Sequence, residues 1–170
     1  SDAEVELECK QVPGAENLAC KAASLLKQEL KIKKGVKIRI EKNIPIAAGL
    51  GGGSSDAATT LIGLNKLWEL GLSQDELIHL ASKLGADVPF FINNSGLALG
   101  TGIGTIITPL PNLPPCWLVM ILPGIKISTA KVYADLNFML TNEPINSKII
   151  EAVIKEGNIE KISRLLFNTL

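Results

Sequence analysis

The sequence predicts an α+β fold with a substantially antiparallel sheet, on two observations. Runs of strict alternation and runs of helical periodicity are both present, and they do not follow the regular order of a doubly wound parallel sheet. Hydrophobic residues make up 46% of the 170 positions, enough to bury the core of one large domain or two small ones.

The elements follow in order. Residues 3–9 (AEVELEC) alternate, with Val5 and Leu7 opposite in parity to Glu4, Glu6 and Glu8, and read as a strand. Pro13-Gly14 marks a turn. Residues 16–30 place Leu18, Ala22, Leu25, Leu26 and Leu30 on one helical face. Residues 36–42 (VKIRIEK) alternate again, Val36, Ile38 and Ile40 facing in. A glycine-rich loop spans 43–55, and helical spacing of Ala57, Leu61 and Leu64 runs from Asp56 to Leu70. Ser73 and Glu76 form a capping box that opens the next helix, which Gly85 ends. VPFFIN (88–93) reads as a buried strand, and 96–110 as two strands around a glycine-rich bend at Gly100, Gly102 and Gly104. Prolines between 109 and 115 mark the best boundary. WLVMILP (117–123) reads as a strand, and helical patterns follow at 129–140, 147–156 and 158–168. Trp68 and Trp117 are expected in the core, and the single histidine, His79, at a surface or half-buried position in mid-helix.

Composition narrows the function. Seventeen basic residues balance seventeen acidic ones, so there is no electrostatic case for nucleic acid or a membrane surface. No window holds 18 uninterrupted apolar residues, and no signal peptide is visible. Cys9, Cys20 and Cys116 have no metal-like spacing and read as reduced thiols in a cytoplasmic protein. The chain starts without methionine and ends in helical pattern, as expected of a piece of a longer protein.

The chemistry concentrates in PIAAGLGGGSSDAA, residues 45–58, where four of the five positions 49–53 are glycine. Glycines permit positive φ and close approach to the backbone. Bare N–H groups leading into a helix, helped by the helix dipole, form an anion site. Ser54 and Ser55 can cap the helix or reach a phosphate or a magnesium ion. The plain alternative is a flexible helix-capping turn, but one glycine would suffice for that. A Walker loop needs a Gly-Lys-Ser/Thr that is missing here, since no lysine lies between Lys42 and Lys66. A dinucleotide fingerprint would need glycine where Ser54 stands. A protein-kinase glycine loop would sit in a hairpin. His79 and the carboxylates give no metal-ligand cluster.

Pro45 to Ala58 resembles the second motif of the GHMP kinases, P-x-x-x-G-L-G-S-S. Its triple glycine and Ser-Ser-Asp-Ala-Ala are similar to one branch, which acts on a cytidine-diphosphate ester of methylerythritol. Gly85-Ala-Asp87-Val-Pro-Phe-Phe91 and Pro123-Gly124 through Ile127-Ser128-Thr129, then Val132-Tyr133, resemble two further stretches of that branch. The resemblance implies an N-terminal domain like the second domain of ribosomal protein S5 at residues 1–112 and a ferredoxin-like C-terminal domain at 113–170, both partial. It implies ATP bound by Pro45, Ala48, Gly49, Leu50, Gly51, Gly52, Gly53, Ser54 and Ser55, with its triphosphate on residues 49–55, magnesium bridging the phosphates, and Lys42 near the adenine. It implies Asp87 as the base for the acceptor hydroxyl and Thr129 as a substrate contact. The acceptor implied is the 2-hydroxyl of 4-diphosphocytidyl-2-C-methyl-D-erythritol, in the non-mevalonate route to isoprenoids. The family pairs its aspartate with an N-terminal lysine in K-x-N-L, and Lys10 and Lys21 do not sit in such a motif. Its C-terminal G-[ST]-G motif is not found either, so this chain alone is expected to be inactive. Another GHMP kinase, of homoserine or mevalonate type, and an inactive nucleotide-binding fragment are the alternatives. Asp56, in the first helical turn, reads as structural, although a carboxylate there competes with phosphate.

Overall fold

The computed structural model describes residues 4–93, 95–102, 104–122 and 147–166. The chain divides into two compact units, Ser1–Pro109 and Leu110–Leu170.

In the first unit, β1 (Val5–Glu8), α1 (Leu18–Glu29) and β2 (Val36–Arg39) form a strand-helix-strand unit. The two strands pair in parallel, with Val5 beside Val36 and Leu7 beside Ile38. The parallel direction departs from the antiparallel expectation for a simple reason. Alternation reports which face is buried, not which way a strand runs, and a helical crossover returns the chain in the same direction. The outward residues pair by charge: Lys37 Nζ lies 2.6 Å from Glu8 Oε1.

Helix α1 is capped by Asn17, whose Oδ1 accepts from the Ala19 N–H at 2.9 Å while its Nδ2 donates to the Val12 carbonyl. The inner face is centred on Ala19, Ala22, Ala23 and Leu26, while Leu18 and Leu25 are half-buried and Leu30 is exposed. The small residues have a partner. Helix α2 (Gly52–Leu67) packs on α1 and presents Ala57, Ala58 and Leu61. Trp68 and residues of α3 (Gln74–Ser82) and α4 (Val88–Ile92) complete the core, with Leu77, Leu80, Ala81, Val88 and Ile92. Leu26 and Leu61 are fully buried; burial of each contributes about 1.5–3 kcal/mol.

Two polar devices fix the turns. Asn65 exchanges two hydrogen bonds with the backbone of Leu72, accepting from its N–H at 3.0 Å and donating to its carbonyl at 2.9 Å. Ser73 and Glu76 form the expected capping box of α3. His79 is exposed.

Residues 88–92 are helical, not the strand expected for 88–93. A five-residue apolar run fits either a buried strand or a buried helix. Asp87 stands at the N-cap and Pro89 in the first turn, where its missing N–H has no helical partner to lose. The expected bend holds: β3 (Ala98–Thr101) and β4 (Ile106–Pro109) pair antiparallel across a turn in which Gly102 and Gly104 take φ of 67° and 93°.

In the second unit, residues 117–122 are exposed and form no strand, and Trp117 is fully exposed, contrary to the expected strand and core position. An apolar run becomes a strand only with a neighbour to complete its hydrogen bonds, and no such pairing occurs among the described residues. Helices α5 (Ser147–Glu156) and α6 (Ile159–Leu165) occupy the two C-terminal helical patterns. Gly157, at φ 66°, joins them, and Asn158 caps α6 by accepting from the Lys161 N–H. The helix expected at 129–140 lies outside the described residues.

Candidate functional site

The glycine loop connects β2 to α2. Ala47, Gly49 and Gly51 take φ of 57°, 70° and 66°. Helix α2 begins at Gly52, four residues earlier than the apolar spacing indicated, because Gly52 and Gly53 carry no side chain to register in a periodicity. The N-cap is therefore Gly51, not Ser54 or Ser55, and no side chain caps the helix. The first intrahelical bond runs from the Ser55 N–H to the Gly51 carbonyl at 2.9 Å. The N–H groups of Gly52, Gly53 and Ser54 consequently have no intrahelical partner. A left-handed Gly51 followed by helical residues gathers successive N–H groups into a concavity suited to an anion.

The neighbours of this turn are close. A Cβ on Gly51 would stand 2.9 Å from the tip of the Phe91 ring, and one on Gly52 would stand 3.0 Å from Ile44 Cγ2 and 3.3 Å from Lys42 Nζ. A Cβ on Gly49 would meet nothing within 4 Å, so the loop is open there. Glycine is thus favoured at 51 by packing and conformation together, and at 52 by packing alone.

Lys42 is not a solvated strand end. Its side chain is only 8% exposed, and Nζ donates to Asp56 Oδ2 at 2.6 Å. Asp56, which the sequence reads as a structural acid of the first helical turn, is the partner in this ion pair. Beside it a cleft of about 690 Å³ opens past the carboxyl ends of β1 and β2, lined by residues including Cys9, Lys10, Arg39, Lys42 and Asn43. Ligands of sheets built from strand-helix-strand units favour such crevices.

Asp87 is exposed and carries no capping hydrogen bond. Its helix α4 packs on α2, and Phe91, four residues on, covers Gly51. Four residues rise about 6 Å along a helix, so the carboxylate lies about one turn from the point where α4 touches the loop. The fold thus brings together Lys42, the loop from Pro45 to Ser55, and the helix that begins at Asp87. Thr129 and the stretch 123–133 lie outside the described residues.

Phe91, Ile44 and the Lys42–Asp56 pair were not singled out from the sequence. The two charges are 14 residues apart and follow no periodic rule, and the apolar run around Phe91 reads as a strand. Among the described residues no group of three or more His, Cys, Asp or Glu side chains could hold a metal. A magnesium ion here would depend on phosphate oxygens, with Ser54 and Ser55 as the nearby hydroxyls. No helix among the described residues is long and apolar enough to cross a membrane.

A helix N-terminus that offers bare N–H groups behind a glycine loop, on a mixed α/β frame, defines a class. Residues 17–95 match the GHMP kinases N terminal domain. The particular relatives are uniform. A 4-diphosphocytidyl-2-C-methyl-D-erythritol kinase of Geobacillus kaustophilus is 50% identical over 154 residues, covering 91% of this chain and 52% of the relative. The enzyme of the same name from Listeria monocytogenes is 46% identical, with coverage of 91% and 52%. A crystal structure of 4-(cytidine 5'-diphospho)-2C-methyl-D-erythritol kinase superposes with a TM-score of 0.71 at 35% identity, over 93% of this chain and 56% of that one. The mixed α/β GHMP kinase fold expected from the motifs is therefore the fold found. The chain spans about half the length of the curated relatives it matches.

Proposed function

We propose that the protein is an ATP-dependent kinase that phosphorylates the 2-hydroxyl of 4-diphosphocytidyl-2-C-methyl-D-erythritol, a step toward isoprenoid precursors by the non-mevalonate route. The observation that carries the reading is the uncapped start of α2 behind Gly49–Gly51. It supplies three N–H donors and a helix dipole where a triphosphate needs them. The donor set fits ATP: Gly52, Gly53 and Ser54 bind phosphate oxygens through N–H, and the Ser54 and Ser55 hydroxyls add donors. Lys42 stands where the phosphate cradle meets the cleft that would take the nucleoside. Bound magnesium supplies neutralisation of charge on the phosphates.

Asp87 accepts the proton of the acceptor hydroxyl as its oxygen attacks the γ-phosphorus, and ADP leaves. Such transfer depends on in-line positioning and charge neutralisation more than on covalent chemistry with the protein. Thr129 is proposed as a substrate contact. Residues 1–112 are proposed as the ATP-binding domain and 113–170 as part of the C-terminal one. The free thiols of Cys9, Cys20 and Cys116 suit a cytoplasmic enzyme.

The test is ADP release by the complete gene product, with 4-diphosphocytidyl-2-C-methyl-D-erythritol as acceptor and homoserine and mevalonate as controls. Turnover with the cytidine substrate alone, lost by several orders of magnitude in Asp87→Asn, is expected. Turnover with a control acceptor would retain the cradle and discard the substrate. No turnover with any acceptor would overturn the kinase reading.

A further inference from the structure

A carboxylate within the first turns of a helix that binds phosphate is a liability, because it repels the ligand. Asp56 stands there, four residues into α2. The structure shows how the liability is answered. Its Oδ2 takes a hydrogen bond from Lys42 Nζ at 2.6 Å, and the lysine side chain is 8% exposed against 24% for the aspartate. That ammonium lies 3.3 Å from where a Cβ of Gly52 would stand, so the cation sits at the first residue of the helix that offers bare N–H groups.

An ammonium has three protons. One goes to Asp56. The other two find no acceptor among the described residues, although the side chain is more than nine-tenths buried. A buried cation with donors to spare, beside a row of N–H groups that also lack partners, is arranged for an anion that the protein does not supply.

We infer that Asp56 is a positioning residue for the nucleotide site. It uses one proton of Lys42 to hold the ammonium against Gly52, and the other two protons are thereby fixed in advance as points of attachment for a phosphate oxygen. The inference rests on the nucleotide-binding reading above and adds a residue to it. The lysine stem alone has four rotatable bonds, and losing the carboxylate frees the ammonium to leave for water. Charge counting gives the opposite answer: removing a negative group near an anion site should tighten binding. The two accounts therefore differ in sign.

The experiment uses the complete gene product, with a non-hydrolysable ATP analogue and magnesium, titrated calorimetrically. Asp56→Ala is expected to weaken binding about tenfold. Asp56→Asn, which keeps an acceptor oxygen without the charge, is expected to restore it to within threefold. In turnover, Asp56→Ala should raise KM for ATP by a similar factor and leave kcat and the acceptor KM unchanged, a split that a general loss of structure would not produce. Equal or tighter binding by Asp56→Ala overturns the inference and makes Asp56 a simple counter-charge. Equal loss in the Asn variant overturns it too, since an acceptor would then not suffice. A wild-type protein that binds no analogue overturns the cradle itself, an outcome distinct from the other two.

Discussion

Gly51→Ala should destabilise the protein by about 2–4 kcal/mol, and the structure separates two causes. The backbone at Gly51 has φ 66° and ψ 11°, in the left-handed region. An alanine there costs about 1–2 kcal/mol. The added methyl would also lie 2.9 and 3.1 Å from two atoms at the tip of the Phe91 ring. The ring is half-buried and crosses Phe90 edge to face at a centroid distance of 5.0 Å, so its retreat is limited. Overpacking of this kind costs about 1–3 kcal/mol, and a movable ring tip argues for the lower half of that range. Gly49 is the internal control. Its φ is 70°, but a methyl there meets nothing within 4 Å, so Gly49→Ala should cost only the backbone part, about 1–2 kcal/mol. Urea unfolding of the complete gene product would measure both. A cycle with Phe91→Leu should show coupling between positions 51 and 91 of about 1 kcal/mol. If Gly51→Ala is no more destabilising than Gly49→Ala, or the cycle shows no coupling, the Phe91 contact does not shape the loop.

Other outcomes follow from the same geometry. Gly53 has ordinary helical φ, and a methyl there would touch Leu18 Cδ1 at an unstrained 3.5 Å; Gly53→Ala should therefore stabilise by about 0.4–1 kcal/mol by urea unfolding, and a loss of stability would refute the unstrained contact. Leu61→Ala, at a fully buried site, should cost about 2–5 kcal/mol by urea unfolding. Asn65→Asp keeps the acceptor for the Leu72 N–H but loses the donor to its carbonyl, and should cost about 1–3 kcal/mol above pH 6. The Glu76 carboxyl is held below its ordinary value of 4.5 by the Ser73 backbone N–H first and the Ser73 hydroxyl second. Its contribution is therefore complete above pH 4.5 and is lost as pH falls through the lower, folded value. Glu8 and Glu29 are lowered in the same direction by hydrogen bonds from Lys37 and Lys83. The urea midpoint should accordingly drop on acidification below pH 4.5, and less steeply in Glu76→Gln.

The site was legible in the sequence where chemistry depends on residue type, and obscure where it depends on geometry. Four glycines in five positions announced a helix start without a side-chain cap, and Ser73 with Glu76 announced a cap. The true start of α2 was hidden because glycine carries no side chain to mark a helical face. The parallel direction of β1 and β2 was hidden because alternation is blind to direction. VPFFIN misled because its apolar run is too short to reveal a period, and Asp87 with Pro89 as a helix opening outweighed the β-leaning Val and Phe. The partnership of Lys42 with Asp56 depends on a turn of the loop that no spacing rule encodes. Trp117 shows the opposite error: its hydrophobicity suggested burial, but a residue is buried only where something covers it.

The packing of α1 on α2 draws on alanine: Ala22 and Ala23 of α1 share one buried cluster with Ala57 and Ala58 of α2. Alanine has no rotamers, so this contact has no side-chain freedom with which to absorb a displacement. A Leu–Leu seam yields by repacking; backbone against backbone does not. The two helices therefore act as a stiff linkage, and a shift of α1 reaches the first turn of α2 almost undamped. Precision at the first turn of α2 is inherited in this way from α1, and a bulky residue at Ala22 or Ala58 would be read out at Gly52.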